Sequence, residues 1–255
     1  MEQYAETRKK QSEQINKVKT VLNSQVDDLI AKKEEKNSLL NEQINESKKL
    51  EKLKSEQNSV IKALAKTEKQ TIKDIEKDKK SIAKLNKLID DLIKAEIAKS
   101  TKNKNATKLK MTPASAALAK SFTSNKGKLP WPVESGFVTK KYGKQQHPVW
   151  KHVITENKGI DIQTSSNQQV RSVFDGKVKK IAFVPGMGNM VMIQHGEYFT
   201  VYAKLKEVFV RSGQDVSTKD AVGTVLTNND GVTEVNFSVW KNTQTMNPNL
   251  WLFPR

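Results

Sequence analysis

The chain of 255 residues has no cysteine, which excludes thiolate zinc sites and disulfides and is compatible with any redox compartment. Histidine is scarce: His147, His152 and His195 are the whole supply of imidazole. Glycine and proline are absent from the first part of the chain, where the earliest proline is Pro113 and the earliest glycine Gly127. Everything before them is free of both breakers while the rest carries all of them, so the two halves are different kinds of structure. The low aromatic content (6%) and the mean hydropathy of −0.67 belong mainly to the first half, which cannot enclose a globular core of its own. No apolar run is long enough to span a bilayer, and no charged-then-apolar leader precedes the helical part. If the native protein is exported, its signal peptide is absent from this sequence.

What is present in excess is lysine, and the net charge of +17 invites a nucleic-acid reading. The location of the charge argues against it. Residues 1–100 carry 23 basic and 18 acidic side chains, residues 101–129 carry 7 and 0, and residues 130–255 carry 15 and 10. Most of the basic residues are lysines in a mixed-charge helix, with few arginines and no interleaved aromatics, which is the pattern of a solvated helix face. Nucleic acid is therefore not an expected partner; anionic lipid or cell-wall polymer could still meet such a surface.

From Glu2 to Ser100 apolar residues recur at three and four. Ile15, Val18, Leu22 and Leu29 mark one seam with Gln25 as its polar member; Ile75, Ile82, Leu85, Ile89 and Leu92 mark another with Asp78 as its polar member. That is heptad spacing, and so narrow a stripe needs a partner. The polar stretches 32–38 and 55–59 are candidate turns, and the reading taken is an antiparallel helical hairpin over residues 1–100, with a dimer or docking to another protein as the alternatives. Residues 101–128 form a basic linker and a short helix, N-capped by Thr112 with Pro113 in its first turn and ending before Gly127. Its apolar face, Ala114, Leu118 and Phe122, must dock on something: either the neighbouring domain as ordinary packing, or a binding site as a removable, regulatory cover.

From Leu129 the pattern changes to short β-rich runs: 159–164, 169–174, 177–184, 190–194, 199–205, 221–226 and 233–240, with Asp175-Gly176 and Gly196-Glu197 as hairpin turns. These predict a compact, mainly antiparallel β-domain over 129–255, making the whole chain α+β. The run Glu234–Trp240 alternates cleanly, Val235, Phe237 and Val239 on one side and Glu234, Asn236, Ser238 and Trp240 on the other. One strand lining a shallow groove has this character, and so does any half-buried strand.

The order of motifs across Leu129–Leu252 resembles the LytM or lysostaphin-type zinc endopeptidase domain. The matching pieces are WPVESGFVTKKYG from Trp131, HPV from His147, NKGIDI from Asn157, VRSVFDGKV from Val170, GNMVMIQHG from Gly188, FTVYAKL from Phe199, SGQDV from Ser212 and NPNLWL from Asn247. Active members hold zinc with the His and Asp of H-x-G-x-D and the second His of H-x-H; the first His of that pair and one from YAHL serve the attacking water. By that resemblance Asn157, Asp161 and Asn236 stand at the former metal positions, and Glu234 and Lys204 at the former catalytic-histidine positions. An asparagine amide is a poor zinc ligand beside imidazole, and a lysine ammonium opposes a dication. The resemblance thus implies no metal, no cofactor and no enzymatic activity. His147 and His195 read as structural or exposed, and His147, His152 and Asp161 make the one alternative metal set.

A degenerate LytM domain behind a long coiled coil resembles the EnvC-type murein hydrolase activators of Gram-negative envelopes, with KGKLPWPV at Lys126–Val133 and NFSVWK similar to those of Bacteroidota. That resemblance implies a periplasmic, non-catalytic activator of an N-acetylmuramoyl-L-alanine amidase in septal peptidoglycan splitting during cell division. The emptied groove would bind the amidase and the coiled coil would couple to FtsX of the FtsEX complex. Lys140, Tyr142, Tyr202, Lys204, Asn236, Ser238 and Trp240 are then the expected groove walls, Leu118 and Phe122 the face of an autoinhibitory helix, and deletion of residues 1–128 should leave an activator at least as strong as the whole chain. The competing readings are a divergent zinc endopeptidase cleaving peptidoglycan cross-links and a non-enzymatic protein that binds the cell wall.

Overall fold

The computed structural model describes residues 2–103, 105–146, 154–228 and 230–255, without the side chains of Glu2 and Tyr4. Helix α1 covers Glu2–Thr101 and is helical through 32–38 and 55–59, so neither stretch forms a turn and the expected hairpin is not seen. The reason is local: lysine, glutamate, serine and asparagine cost a helix only a few tenths of a kcal/mol each, about 0.7 at most, and no glycine or proline interrupts the ladder. The chain divides into two compact units, residues 1–72 and 73–255. In the first, the seam residues Ile15, Val18, Leu22 and Leu29 are 58–67% exposed. No helix among the described residues is long and apolar enough to cross a membrane.

The second unit takes in the last part of α1 as well as the β-domain. Ser81, Leu85, Ile89, Ile93 and Ile97 are buried, a spacing of four that puts them on one helix face. The expected heptad seam through Ile82 and Leu92 is only half-buried at its edge. Instead of a second helix, this face meets a sheet: Val184, Met187, Met190, Met192, Phe199, Val201, Ala203 and Trp240 share its core. Each of the buried leucine and isoleucine side chains contributes about 1.5–3 kcal/mol. Lys179 adds an ion pair to Glu96 at 3.1 Å. Gly186, at φ +82 in the turn that follows, lies under Ser81, whose Oγ would be 2.5 Å from any added Cβ.

Among the described residues twelve strands follow the second helix, α2 (Pro113–Ser124). They are β1 (Phe137–Lys140), β2 (Gly143–Gln146), β3 (Ile154–Asn157), β4 (Ile160–Gln163), β5 (Gln169–Arg171), β6 (Gly176–Val184), β7 (Gly188–His195), β8 (Tyr198–Val208), β9 (Asp215–Val216), β10 (Ala221–Val225), β11 (Glu234–Lys241) and β12 (Gln244–Met246). The main sheet is antiparallel in the order β1-β4-β11-β8-β7-β6-β9, with β10 bridging β8 to β5 and β12 beside β11; β2 and β3 pair separately. Gly196, at φ +73, opens the two-residue β7–β8 hairpin as expected of a type II′ turn. Asp175-Gly176 is not a hairpin turn, because β5 pairs with β10 and β6 with β7 and β9.

The sheet buries two different faces. One packs Ile160, Ile162, Val191, Ile193, Tyr202, Val235, Phe237 and Val239 against Val170, Val173, Val222 and Val225. Helix α2 closes this core with Ala119 and Phe122, its N-terminus fixed by a Thr112–Ser115 capping box with Pro113 at the first turn. Phe122 lies 4.9–5.4 Å from the rings of Tyr198, His195, Trp251 and Phe174. The other face is the one covered by α1.

Candidate functional site

Alternation along β4 and β11 decides which side chains reach the α1 face. Ile160 and Ile162 point into the closed core and Asp161 away from it; Val235, Phe237 and Val239 point in and Asn236, Ser238 and Trp240 away. In the β4–β11 register Asn236 stands opposite Asp161. Its amide Nδ2 donates to Asp161 Oδ1 and, at 3.4 Å, to Asn157 Oδ1. Asn157, at the end of β3, also accepts from the Gly159 N–H at 3.1 Å.

Lys204 enters this group through a break in the strand pattern. Tyr202 and Leu205 both face the closed core, and between them β8 carries one residue more than its partner β7, a bulge at Ala203–Lys204. Lys204 takes φ +64, a left-handed conformation that costs a non-glycine residue about 1–3 kcal/mol. The bulge turns its side chain to the groove. There Nζ donates to Asp161 Oδ2 at 3.0 Å and to Glu234 Oε2 at 2.9 Å. Lys140 Nζ reaches Asp161 Oδ2 at 3.5 Å, and Thr139 Oγ1 donates to Glu234 Oε1 at 2.7 Å.

The electrostatics follow from this pairing. Burial by itself would push the Asp161 carboxyl up, but the Lys204 and Lys140 charges and the hydrogen bonds from Asn236 and Lys204 outweigh it and hold the group below its usual value. Burial likewise works against the Lys204 ammonium, and Asp161 and Glu234 more than compensate, raising its pKa. Both groups are therefore charged across the neutral range.

Of the expected positions, Asn157, Asp161, Lys204, Glu234 and Asn236 come together here, with Lys140 at the rim. Tyr202 does not: it is fully buried in the closed core, its hydroxyl accepting from the Val173 N–H at 2.9 Å. Ser238 and Trp240 lie on the groove face but are only 3% and 1% exposed, Trp240 in the core shared with α1 and Ser238 accepting from Trp240 Nε1 at 3.0 Å. Tyr142 is half-buried and bonds Thr245 Oγ1 at 2.8 Å. Leu118 and Phe122 are nowhere near the groove: Phe122 is core, and Leu118 lines a shallow cleft with Asp175, Gly176 and Gly196. The element beside the groove is α1, whose Asp78 and Ile82 line a cleft with Lys140, Lys204 and Glu234. Thr139 and these helix residues were not anticipated as site residues. The one signal for them was Asp78, a polar member in an otherwise apolar seam.

His147 and His152 lie outside the described residues. His195 is not exposed as one reading had it but fully buried, with Nδ1 2.6 Å from the Asp175 carbonyl and Nε2 2.8 Å from Thr200 Oγ1. Burial pushes its pKa down to about 4, against the opposing effect of Asp175.

The donor set in the groove does not fit a zinc ion. Zinc sites are built from imidazole, thiolate and carboxylate, and here two amides and two carboxylates surround an ammonium whose charge repels a dication. Among the described residues no group of three or more His, Cys, Asp and Glu side chains could hold a metal.

Residues 155–248, which carry this sheet and groove, match the model of Peptidase family M23. Solved structures similar to the chain include Helicobacter pylori Csd3 (25% identity, TM-score 0.43, covering 50% of this chain and 35% of that one). A zinc-containing peptidase from Vibrio cholerae is similar at 25% identity and TM-score 0.44, covering 51% of this chain and 41% of that one. A chain of the SpoIIIAH–SpoIIQ complex is similar at 27% identity and TM-score 0.42, covering 48% of this chain and 97% of that one. The likeness thus spans well under half the length of the first two. Comparison with curated protein sequences gave no match.

Proposed function

We propose that this chain is a non-catalytic activator of a periplasmic N-acetylmuramoyl-L-alanine amidase, acting in septal peptidoglycan splitting during cell division. The observation that carries this reading is the Lys204 ammonium held between Asp161 and Glu234 in the groove of an M23-type domain. The EnvC-type motif order and the long N-terminal helix support the same reading. The groove offers a partner a charged, hydrogen-bonded floor with Lys140 at its rim, the kind of surface that recognises a polar segment of another protein.

The apolar seam of residues 15–29, exposed in its own unit, is the surface through which FtsX of the FtsEX complex would act. Residues 73–101 of α1 lie on the groove face, so this segment, and not α2, is the autoinhibitory element. The amidase gains access when the segment lifts, and the coupling is no larger than the partner's preference for the lifted state. The covered groove-face residues Ser238 and Trp240 then join the binding surface.

The test is a pull-down of periplasmic amidases with the full chain and with a Leu85→Glu, Ile89→Glu variant that undocks α1 from Val184, Met190 and Phe199. Capture by the variant should exceed capture by the native chain, and adding Lys204→Ala should reduce it. Equal failure of a folded native chain and a folded variant to hold any amidase contradicts the reading. Deletion of residues 1–128, attractive from the sequence, is the wrong cut because it removes Phe122 from the closed core; the informative cut falls between Thr101 and Thr112.

A further inference from the structure

We propose that Lys204 is a built-in substitute for the metal ion: its ammonium takes the cation's place between Asp161 and Glu234, keeps the groove floor assembled without a cofactor, and itself excludes divalent ions. This goes beyond the activator reading and does not depend on which partner the groove takes. It distinguishes a groove that merely lost its ligands from one whose cation has been replaced.

The hydrogen-bond inventory is what carries it. Asp161 Oδ2 accepts from Lys204 at 3.0 Å and faces Lys140 at 3.5 Å, while Oδ1 accepts from Asn236. Glu234 Oε2 accepts from Lys204 at 2.9 Å and Oε1 from Thr139 at 2.7 Å. Asn157 Oδ1 accepts from the Gly159 N–H at 3.1 Å and from Asn236. Every oxygen of these three side chains is thus engaged by a protein donor, and Asn236 presents its amide donor, not its oxygen, toward the carboxylate. A divalent ion would therefore have to displace these protein donors and approach the Lys204 ammonium; among the described residues Asn157 Nδ2 is left without a partner, and it is a donor that offers a cation nothing.

The backbone gives a second, independent reason. Lys204 is one of five described non-glycine residues with a positive φ, and the bulge that imposes it is what aims the side chain out of the closed core. Without the bulge, alternation from Tyr202 would leave residue 204 facing the closed core. The strand is deformed to deliver this one cation, and its side chain is held 19% exposed against an Asp161 side chain 2% exposed.

The test restores ligands around the lysine. The full chain carrying Asn157→His and Asn236→His, which with Asp161 regains two imidazoles and a carboxylate, is titrated with Zn²⁺ by calorimetry, with Lys204 retained and with Lys204→Ala added. With Lys204 retained no stoichiometric uptake is expected; with it removed, one Zn²⁺ per chain should bind at least about 100-fold more tightly. Equal affinity in the two backgrounds, or no binding in either while both are folded by circular dichroism, overturns the proposal. Should the variants fail to fold, the native chain decides. In the ¹⁵N-labelled protein the Lys204 ammonium should give a solvent-protected signal unchanged by excess Zn²⁺. A signal averaged with solvent, or one displaced by Zn²⁺, overturns it.

Discussion

The two faces of the central sheet each bury a polar centre, and they solve the problem differently. On the closed face His195 is neutral, hydrogen-bonded to the Asp175 carbonyl and Thr200, and sealed under Phe122 of α2. On the groove face Asp161 and Lys204 stay charged, ion-paired with each other and with Lys140 and Glu234, and α1 lies alongside without sealing them. A neutral centre needs only its hydrogen bonds; a charged one needs an equal and opposite partner held in place. The first is a structural device. The second keeps paired charges beside a cleft that α1 also lines.

Removing one member from each centre should have the largest effects. Lys204→Met leaves Asp161 and Glu234 facing each other with only Lys140 nearby, and should cost about 3–5 kcal/mol in denaturant unfolding. Lys204→Met combined with Asp161→Asn should recover part of that loss, because the uncompensated charge is then gone. On the closed face Phe122→Ala opens a cavity among Tyr198, His195, Trp251 and Phe174 and should cost a similar 3–5 kcal/mol or so.

Acid separates the two centres next. The unfolded chain protonates a histidine near pH 6.5, whereas folded His195 protonates only near pH 4. The stability it lends is full above pH 6.5 and is lost as the pH falls through that window, roughly 3 kcal/mol in all. Asp161, held below its ordinary value, loses its contribution progressively as the pH falls from about 5 through the unfolded value of 3.8 and below, and Lys204, raised above 10.5, only in strong alkali. Unfolding between pH 7 and 5 should therefore report His195 ahead of Asp161, and His195→Gln should flatten that part of the profile. The smallest effect belongs to Leu118→Ala: a half-buried side chain on a shallow cleft should change stability by under about 1 kcal/mol and leave amidase capture unaltered.

Much of the fold was legible because the sheet's strongest strands alternate or run apolar: the seven expected runs correspond to β4, β5, β6, β7, β8, β10 and β11. The strands missed, β1, β2, β3, β9 and β12, are two to four residues long and rich in polar side chains, so neither period nor β-branching marks them. The capping signal at Thr112-Pro113 read true because it is local chemistry. The partner of the α1 stripe did not, since a stripe says that a helix must dock and not on what, whereas packing of α2 on the neighbouring domain was one of its two readings. Residues 85–97 found a sheet and α2 found the closed core. In the groove, the five positions named from motif order lie together in the structure, whereas Tyr202 lies in the closed core. The bulge at Lys204 shifts the alternation by one residue, and nothing in YAKL announces a lysine with positive φ.

The most direct measurement of the central claim is release of dye from labelled murein sacculi by the full chain, alone and with its cognate amidase, in the presence and absence of added Zn²⁺. The expected result is no release by the chain alone at any Zn²⁺ level and release above the amidase's own when the two are combined. Release by the chain alone, rising with Zn²⁺ and abolished by a chelator, would contradict it.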